Sequence, residues 1–295
     1  MRHLSIGLFA MCVVACSHVT SSQQTQSVTV PLHDGSVIDT HVHVSFSAQP
    51  AGLEQQMTPD KVLSLLADKR LHRLAVIVIA PRDDIEGTRK QNDQLFALVK
   101  QHPQLVAVPS VHPLDGEAAL TEMARVKGLG AKMLKIHQNT QGFDLADPAV
   151  DALFKKAAAL DLPVLFEGTF TLDPRTVAKV VELAMKNPKT KMVMAHMGAA
   201  DFRQISVIAI LGKYPWFPRN IYFDMSASVA FLADSPDAPM FAWTIRQVGV
   251  DRVMFGSDFP IGSPAESLDA FQKLGFSPKE AAQILKGTAS SLMGL

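Results

Sequence analysis

Val37-Ile38-Asp39-Thr40-His41-Val42-His43-Val44 reads as a short buried strand that ends in His-x-His. Side chains alternate faces along a strand, so Asp39, His41 and His43 are expected on one face and Thr40 and Val42 on the other. Two imidazoles on one face, a residue apart, can bind the same metal ion. They can equally be two polar residues at a strand end, each satisfied by a backbone partner. The pair alone does not choose between these readings. Further strand ends that carry ligands of the same kind would choose the first.

Downstream, β-branched runs alternate with amphipathic stretches of helical period, the pattern of repeated βα units and a parallel sheet. The runs after the first are Leu74–Ala80, Leu105–Val111, Ala131–His137, Pro163–Glu167, Lys191–His196, Asn220–Met225 and Arg252–Ser257. Helix-start signals stand between several of them: Thr58-Pro59-Asp60, Asp147-Pro148 and Asp173-Pro174. Eight strands, each followed by a helix, over about 260 residues have the size and order of a closed (β/α)8 TIM barrel. An open doubly wound sheet is the alternative, weakened because no Gly-rich phosphate loop follows the first strand. No internal repeat and no second domain are evident.

Composition narrows the function classes. Of 295 residues, 47% are hydrophobic and 19% charged, which is globular rather than disordered. Lys+Arg and Asp+Glu are both 28. That balance argues against a nucleic-acid partner and directs attention to a small-molecule substrate in a site.

The N-terminus reads as a processing segment. Arg2 precedes an apolar run from Leu4 to Ala15, too short to span a bilayer as a mature helix, so residues 1–15 read as a secretory signal. Val13-Val14-Ala15-Cys16 resembles a bacterial lipobox, which implies cleavage before Cys16 and lipid on its sulfur; Ser17 resembles outer-membrane sorting. The only cysteines are Cys12 and Cys16, so no disulfide and no thiolate ligand is expected in the mature fold. Residues 16–30 are then a lipidated cysteine and flexible tether, and 31–295 the barrel domain. The expected address is the periplasmic side of the outer membrane, with membrane contact through the lipid alone.

In a barrel of this kind the site lies at the C-terminal strand ends. Those ends supply His41, His43, Arg82, His112, His137, Glu167, His196, Asp224 and Asp258. Strand eight closes against strand one, so Asp258 is expected beside His41 and His43, with Glu167 and His196 facing them. Imidazoles and carboxylates converging on one point suit zinc or a similar divalent ion.

The motifs around Asp39–His43, Ala131–His137, Met194-Ala195-His196-Met197-Gly198 and Phe255-Gly256-Ser257-Asp258-Phe259-Pro260 resemble the amidohydrolase superfamily. More narrowly they resemble the amidohydrolase-related branch that includes aminocarboxymuconate-semialdehyde decarboxylase. The resemblance runs from Val37 to the C-terminus. It implies metal ligands at His41 and His43, a ligand or polarising group at His196, and a ligand or general acid/base at Asp258. It also implies a homodimer. The chain departs from the pattern at strand five, where Glu167 stands in place of the usual histidine.

If Glu167 is a ligand, two neutral histidines and two carboxylates exactly offset a dication's charge. The metal-bound water would be less acidic, and manganese becomes an alternative to zinc. Otherwise Glu167 faces the substrate. Lys135 and His137 share a strand face and are candidate substrate-binding groups, and Arg82 is a candidate grip for a substrate carboxylate. Asp224 and Ser226 read as strand-end caps. The expected activity is metal-assisted hydrolysis of a small ester, lactone or amide, with Asp258 and His196 as the catalytic pair. Two alternatives stand beside it: non-oxidative decarboxylation of an unsaturated or aromatic acid, and a non-catalytic ligand-binding lipoprotein.

Overall fold

Short runs of Val, Ile, Leu and Met fold as parallel strands because both of their faces are covered, one by the barrel interior and one by helices. The computed structural model describes residues 30–167 and 175–295. Residues 1–29, with the signal segment, Cys16 and most of the tether, lie outside them, as do Asp173 and Pro174.

The strands are β1 (Val37–His43), β2 (Leu71–Ile77), β3 (Leu105–Val108), β4 (Leu134–Ile136), β5 (Val164–Phe166), β6 (Met192–Met194), β7 (Ile221–Asp224) and β8 (Val253–Met254). They pair in sequence order as β1-β2-β3 and β4-β5-β6-β7-β8, all parallel. Two seams join these groups into a ring. Lys135 N donates to Pro109 O at 2.9 Å beside a Ser110–Lys135 bridge, and His43 N donates to Phe259 O at 2.9 Å beside a Val42–Phe259 bridge. The result is the (β/α)8 barrel.

The helices, in order, are α1 (Pro59–Ser64), α2 (Ile85–Gln101), α3 (Glu117–Gly128), α4 (Gln138–Gln141), α5 (Pro148–Ala159), α6 (Thr176–Lys186), α7 (Ile205–Leu211), α8 (Ser228–Leu232), α9 (Ala238–Val248), α10 (Pro264–Lys273), α11 (Pro278–Ala282) and α12 (Thr288–Met293). The start signals act locally: the Asp147 carboxylate accepts from Ala149 N at 2.8 Å at the head of α5. Ile38, Ala75, Ile77, Leu165 and Met254 fill the barrel, and Leu292 and Met293 of α12 pack against them. An outer layer of core, with Val42, Val76, Ile136 and Phe166, lies between strands and helices.

Three expectations shift. β2 begins and ends three residues earlier than expected, with Val37 in register with Leu71; Ala80 lies beyond it, its N–H donating to Ser110 Oγ at 3.0 Å. The helix that follows the sixth strand starts only at Ile205, because His196, Met197 and Ala199 take positive φ in an irregular turn. Strict alternation also fails in β1. Ile38 faces the barrel interior and Val42 the outer layer, although they are four residues apart. A register slip between Asp39 and Val42 reverses the phase and turns His41 and His43 toward the mouth. Asp39 does not join them. Its Oδ1 accepts from Ser257 N at 3.0 Å and His41 N at 3.1 Å, and pins β8 to β1.

Candidate active site

The first half of the site is the β1–β8 corner. His41 Nε2 and His43 Nε2 lie 3.3 and 3.4 Å from the same oxygen, Asp258 Oδ1. Asp258 has φ 63°, a conformation that aspartate tolerates better than most residues, and its N–H donates to His41 O at 2.9 Å. The approach needs a glycine one step before Ser257. A Cβ on Gly256 would sit 3.0 Å from Ser226 Cβ and 3.1 Å from His41 Cβ.

The second half is built on the turn after β6. His196 has φ 58°, a strained position for a non-glycine residue. Its N–H donates to Asp224 Oδ1 at 3.1 Å, and Ser228 Oγ donates to its carbonyl. Its Nε2 lies 2.8 Å from Glu167 Oε2, and His137 Nε2 stands 3.6 Å from the same oxygen.

Proton accounting assigns the two central histidines different states. Asp224 Oδ2 faces His41 Nδ1 at 3.0 Å, so His41 Nδ1 carries a proton. His41 Nε2 then keeps its lone pair, toward Lys135 Nζ at 3.2 Å and Asp258. Burial and the Lys135 cation push His41 down to about 4, so it is neutral. At His196, Nδ1 faces the Ser226 carbonyl at 3.0 Å and must donate. Its Nε2 faces a carboxylate and must donate as well. His196 is therefore an imidazolium. Burial opposes that charge, but the charge and hydrogen bond of Glu167 outweigh it and lift His196 to about 9.

Ser226 joins the two rings. Its Oγ donates to Asp224 Oδ1 and lies 3.1 Å from His41 Nδ1 and 2.9 Å from His196 Nδ1. The carboxylates follow the same electrostatics. Burial would raise all three, yet His41 and His196 hold Asp224 well below the usual range, and His196 and Lys135 do so for Glu167. His41, His43 and His196 bring Asp258 to about 2. Lys135 is fully buried, and desolvation pulls its pKa down despite Glu167, Asp224 and Asp258 around it.

The donor set fits a divalent cation. Tetrahedral sites with bonds of ~2.0–2.1 Å separate their ligand atoms by about 3.4 Å. The His41–Asp258 and His43–Asp258 spacings match that edge. The ligand atoms of His41, His43 and Asp258 all lie within 4.8 Å of one another. Asp224, 3.0 Å behind His41 Nδ1, stands where a carboxylate would orient His41 as a ligand. His41, His196 and Asp224 form a second such group, but it is spanned by Ser226 and by protonated Nδ1 atoms.

The structure thus brings His41, His43, Lys135, His137, Glu167, His196 and Asp258 to one mouth. Glu167 stands on the His196 side and is in neither group of converging donors. Arg82 is apart: more than half exposed, 3.3 Å from Asp83, it lines a cavity of about 460 Å³ that His43 borders. His112 turns away, with Nδ1 accepting from Leu114 N and Nε2 donating to Gln141 O. Asp224 and Ser226, read from sequence as caps, sit at the centre. Their one sequence signal is Asp-x-Ser at a strand end, two residues on one face.

Residues 38–295 match the amidohydrolase family, and the chain belongs to that family of enzymes. No curated protein matches the chain. Among solved structures it is similar to 5-carboxyvanillate decarboxylase from Sphingomonas paucimobilis, at 15% identity and TM-score 0.70, over 88% of this chain and 99% of that one. It is similar to a dihydroxybenzoic acid decarboxylase from a Polaromonas species, solved with manganese and 2-nitroresorcinol bound, at 19% identity and TM-score 0.69, over 88% and 97%. It is also similar to a probable 2-pyrone-4,6-dicarboxylic acid hydrolase from Acinetobacter baumannii, solved with citric acid, at 14% identity and TM-score 0.65, over 88% and 100%.

Proposed function

We propose that the protein is a metal-dependent hydrolase of a small ester, lactone or amide. The observation that carries this reading is the convergence of His41 Nε2 and His43 Nε2 on one Asp258 oxygen, at 3.3 and 3.4 Å, at the same mouth as His196, whose Nε2 lies 2.8 Å from Glu167. Hydrolysis needs a base for water and a positive group near the carbonyl oxygen. His41, His43 and Asp258 would hold the cation, zinc first and manganese second. When bound, it supplies Lewis-acid polarisation and acidifies water. Asp258 accepts the proton of the attacking water. His196 sets a positive charge beside the developing oxyanion and carries a proton for the leaving group, while Glu167 keeps it charged. Lys135 and His137 bound the substrate's space, and Arg82 reaches a substrate that extends past His43.

Decarboxylation is the second reading, favoured by the names of two of the similar structures. It would need Asp258 to take up a proton and deliver it to carbon. The ligand-binding alternative gives way to membership of an enzyme family. The test is a panel of lactones, esters, amides and unsaturated acids on protein purified without chelator. Hydrolysed product, lost in Asp258→Asn, and about one metal per chain, lost in His41→Ala/His43→Ala, is the expected result. Carbon dioxide release without hydrolysis would replace the reading.

A further inference from the structure

The chain has two tryptophans, Trp216 and Trp243, and both are on the surface, 59% and 48% exposed. They are not isolated. Val207 and Ile210 are exposed on α7, Tyr214 stacks on Trp216 at 5.8 Å, and Met240 is exposed one turn from Trp243 on α9. α7 and α9 pack against each other, so these side chains form one apolar face.

The face is also basic. Residues 202–223 contain Arg203, Lys213 and Arg219 and no Asp or Glu. Arg203 pairs with Asp237 and Arg246 with Glu280. Lys213 and Arg219 are exposed, and neither enters an ion pair among the described residues. With Arg252 they edge a cavity of about 70 Å³ whose floor is Ile208, Phe217 and Val248. Arg252 is turned partly to Asp251, 3.7 Å away.

The face runs from Met240, in the first turn of α9 and toward the mouth, to Tyr214, Trp216, Lys213 and Arg219 in the loop 212–219 at the base of the barrel. Each helix runs back from the mouth, so the ends of α7, α9 and α10 and the loop 212–219 are opposite the site. The chain also enters there. Val30 exchanges hydrogen bonds of 2.9 and 2.8 Å with the Gln272 side chain in the last turn of α10. Gly275, just beyond, accepts from Arg246 of α9 at 3.0 Å. Thirteen residues separate Cys16 from Val30, a reach of at most about 45 Å.

We propose that the face formed by α7, the loop 212–219 and α9 docks on an anionic phospholipid bilayer, base first, with the mouth turned to solvent. Exposed Trp and Tyr beside Lys and Arg are the side chains that settle at a bilayer interface. No helix among the described residues is long and apolar enough to cross a membrane, so the contact is with the surface. A second copy of the chain fits less well. A two-fold contact would bring Lys213 and Arg219 of each copy toward a face carrying the same cations.

The test uses the full chain and vesicles with or without phosphatidylglycerol. Both tryptophans report from the face itself. Their emission is expected to shift to shorter wavelength on phosphatidylglycerol vesicles and to be quenched by brominated acyl chains. Lys213→Gln/Arg219→Gln is expected to weaken this response about tenfold or more. Binding through the N-terminus with tryptophan emission unmoved and unquenched would overturn the proposal. So would lipid-independent self-association that shields both tryptophans from acrylamide, which would assign the face to a second copy.

Discussion

His41 and His196 stack at 5.0 Å, touch the same Ser226 hydroxyl and present Nδ1 to the same Asp224–Ser226 clamp. They end in opposite states. What differs is the group across from Nε2: a lysine ammonium and the Asp258 carboxylate for His41, and the Glu167 carboxylate for His196. One ring is left neutral with a lone pair on Nε2, and the other is left charged with its Nε2 proton held against Glu167. Under the proposed function, two imidazoles on one scaffold would serve as ligand and as acid, and the residue opposite each would decide which.

Glu167→Gln should break this contrast most. It removes one partner of a buried pair, a cost of about 3–5 kcal/mol. A chemical-denaturation series across pH checks it. The raised His196 stabilises the fold fully below the unfolded value of ~6.5 and loses that contribution as pH rises through about 9. Glu167, held low, contributes above its ordinary value and loses it as pH falls through the folded one. Glu167→Gln should lose both limbs, and the alkaline limb of activity should move to lower pH.

Asp224→Asn should come next. It removes the acceptor that fixes the His41 Nδ1–H tautomer, and metal affinity should fall about 10–100-fold. Competition with a fluorescent chelator measures it. Lys135→Met sharpens the comparison from the other side. Lys135 is the second cause, after burial, of the low His41 pKa. Its loss should let His41 protonate at higher pH, so metal is released in milder acid; titrating metal release in wild type and variant gives the shift. Ser226→Ala should have the smallest effect, about 1 kcal/mol of stability in a thermal melt, since Asp224 and the Ser226 carbonyl still hold both rings.

The eight-unit barrel was legible because its signals are local: β-branched runs, Asp-Pro helix starts and turns. So were His41, His43, Asp258 and His196, since strand ends in a barrel converge by topology. The β1 phase slip was not. It depends on Gly256 and Ser257, just after β8, pressing on Asp39 and His41, more than two hundred residues away in sequence. Asp224 and Ser226 looked like caps for the same reason. Their partners come from β1 and the turn after β6, and that turn places His196 only by adopting a positive φ that no motif announces. Glu167 was visible as a departure, but its partner was not, because a single strand end does not show which imidazole stands across from it.

The most direct measurement is the protonation of each imidazole by ¹⁵N-edited NMR across a pH series. His196 should carry protons on both ring nitrogens near neutral pH and lose one near pH 9, while His41 carries a single proton, on Nδ1. A neutral His196 at neutral pH, with Nε2 bare toward Glu167, would contradict the division of labour and the hydrolytic role assigned to it.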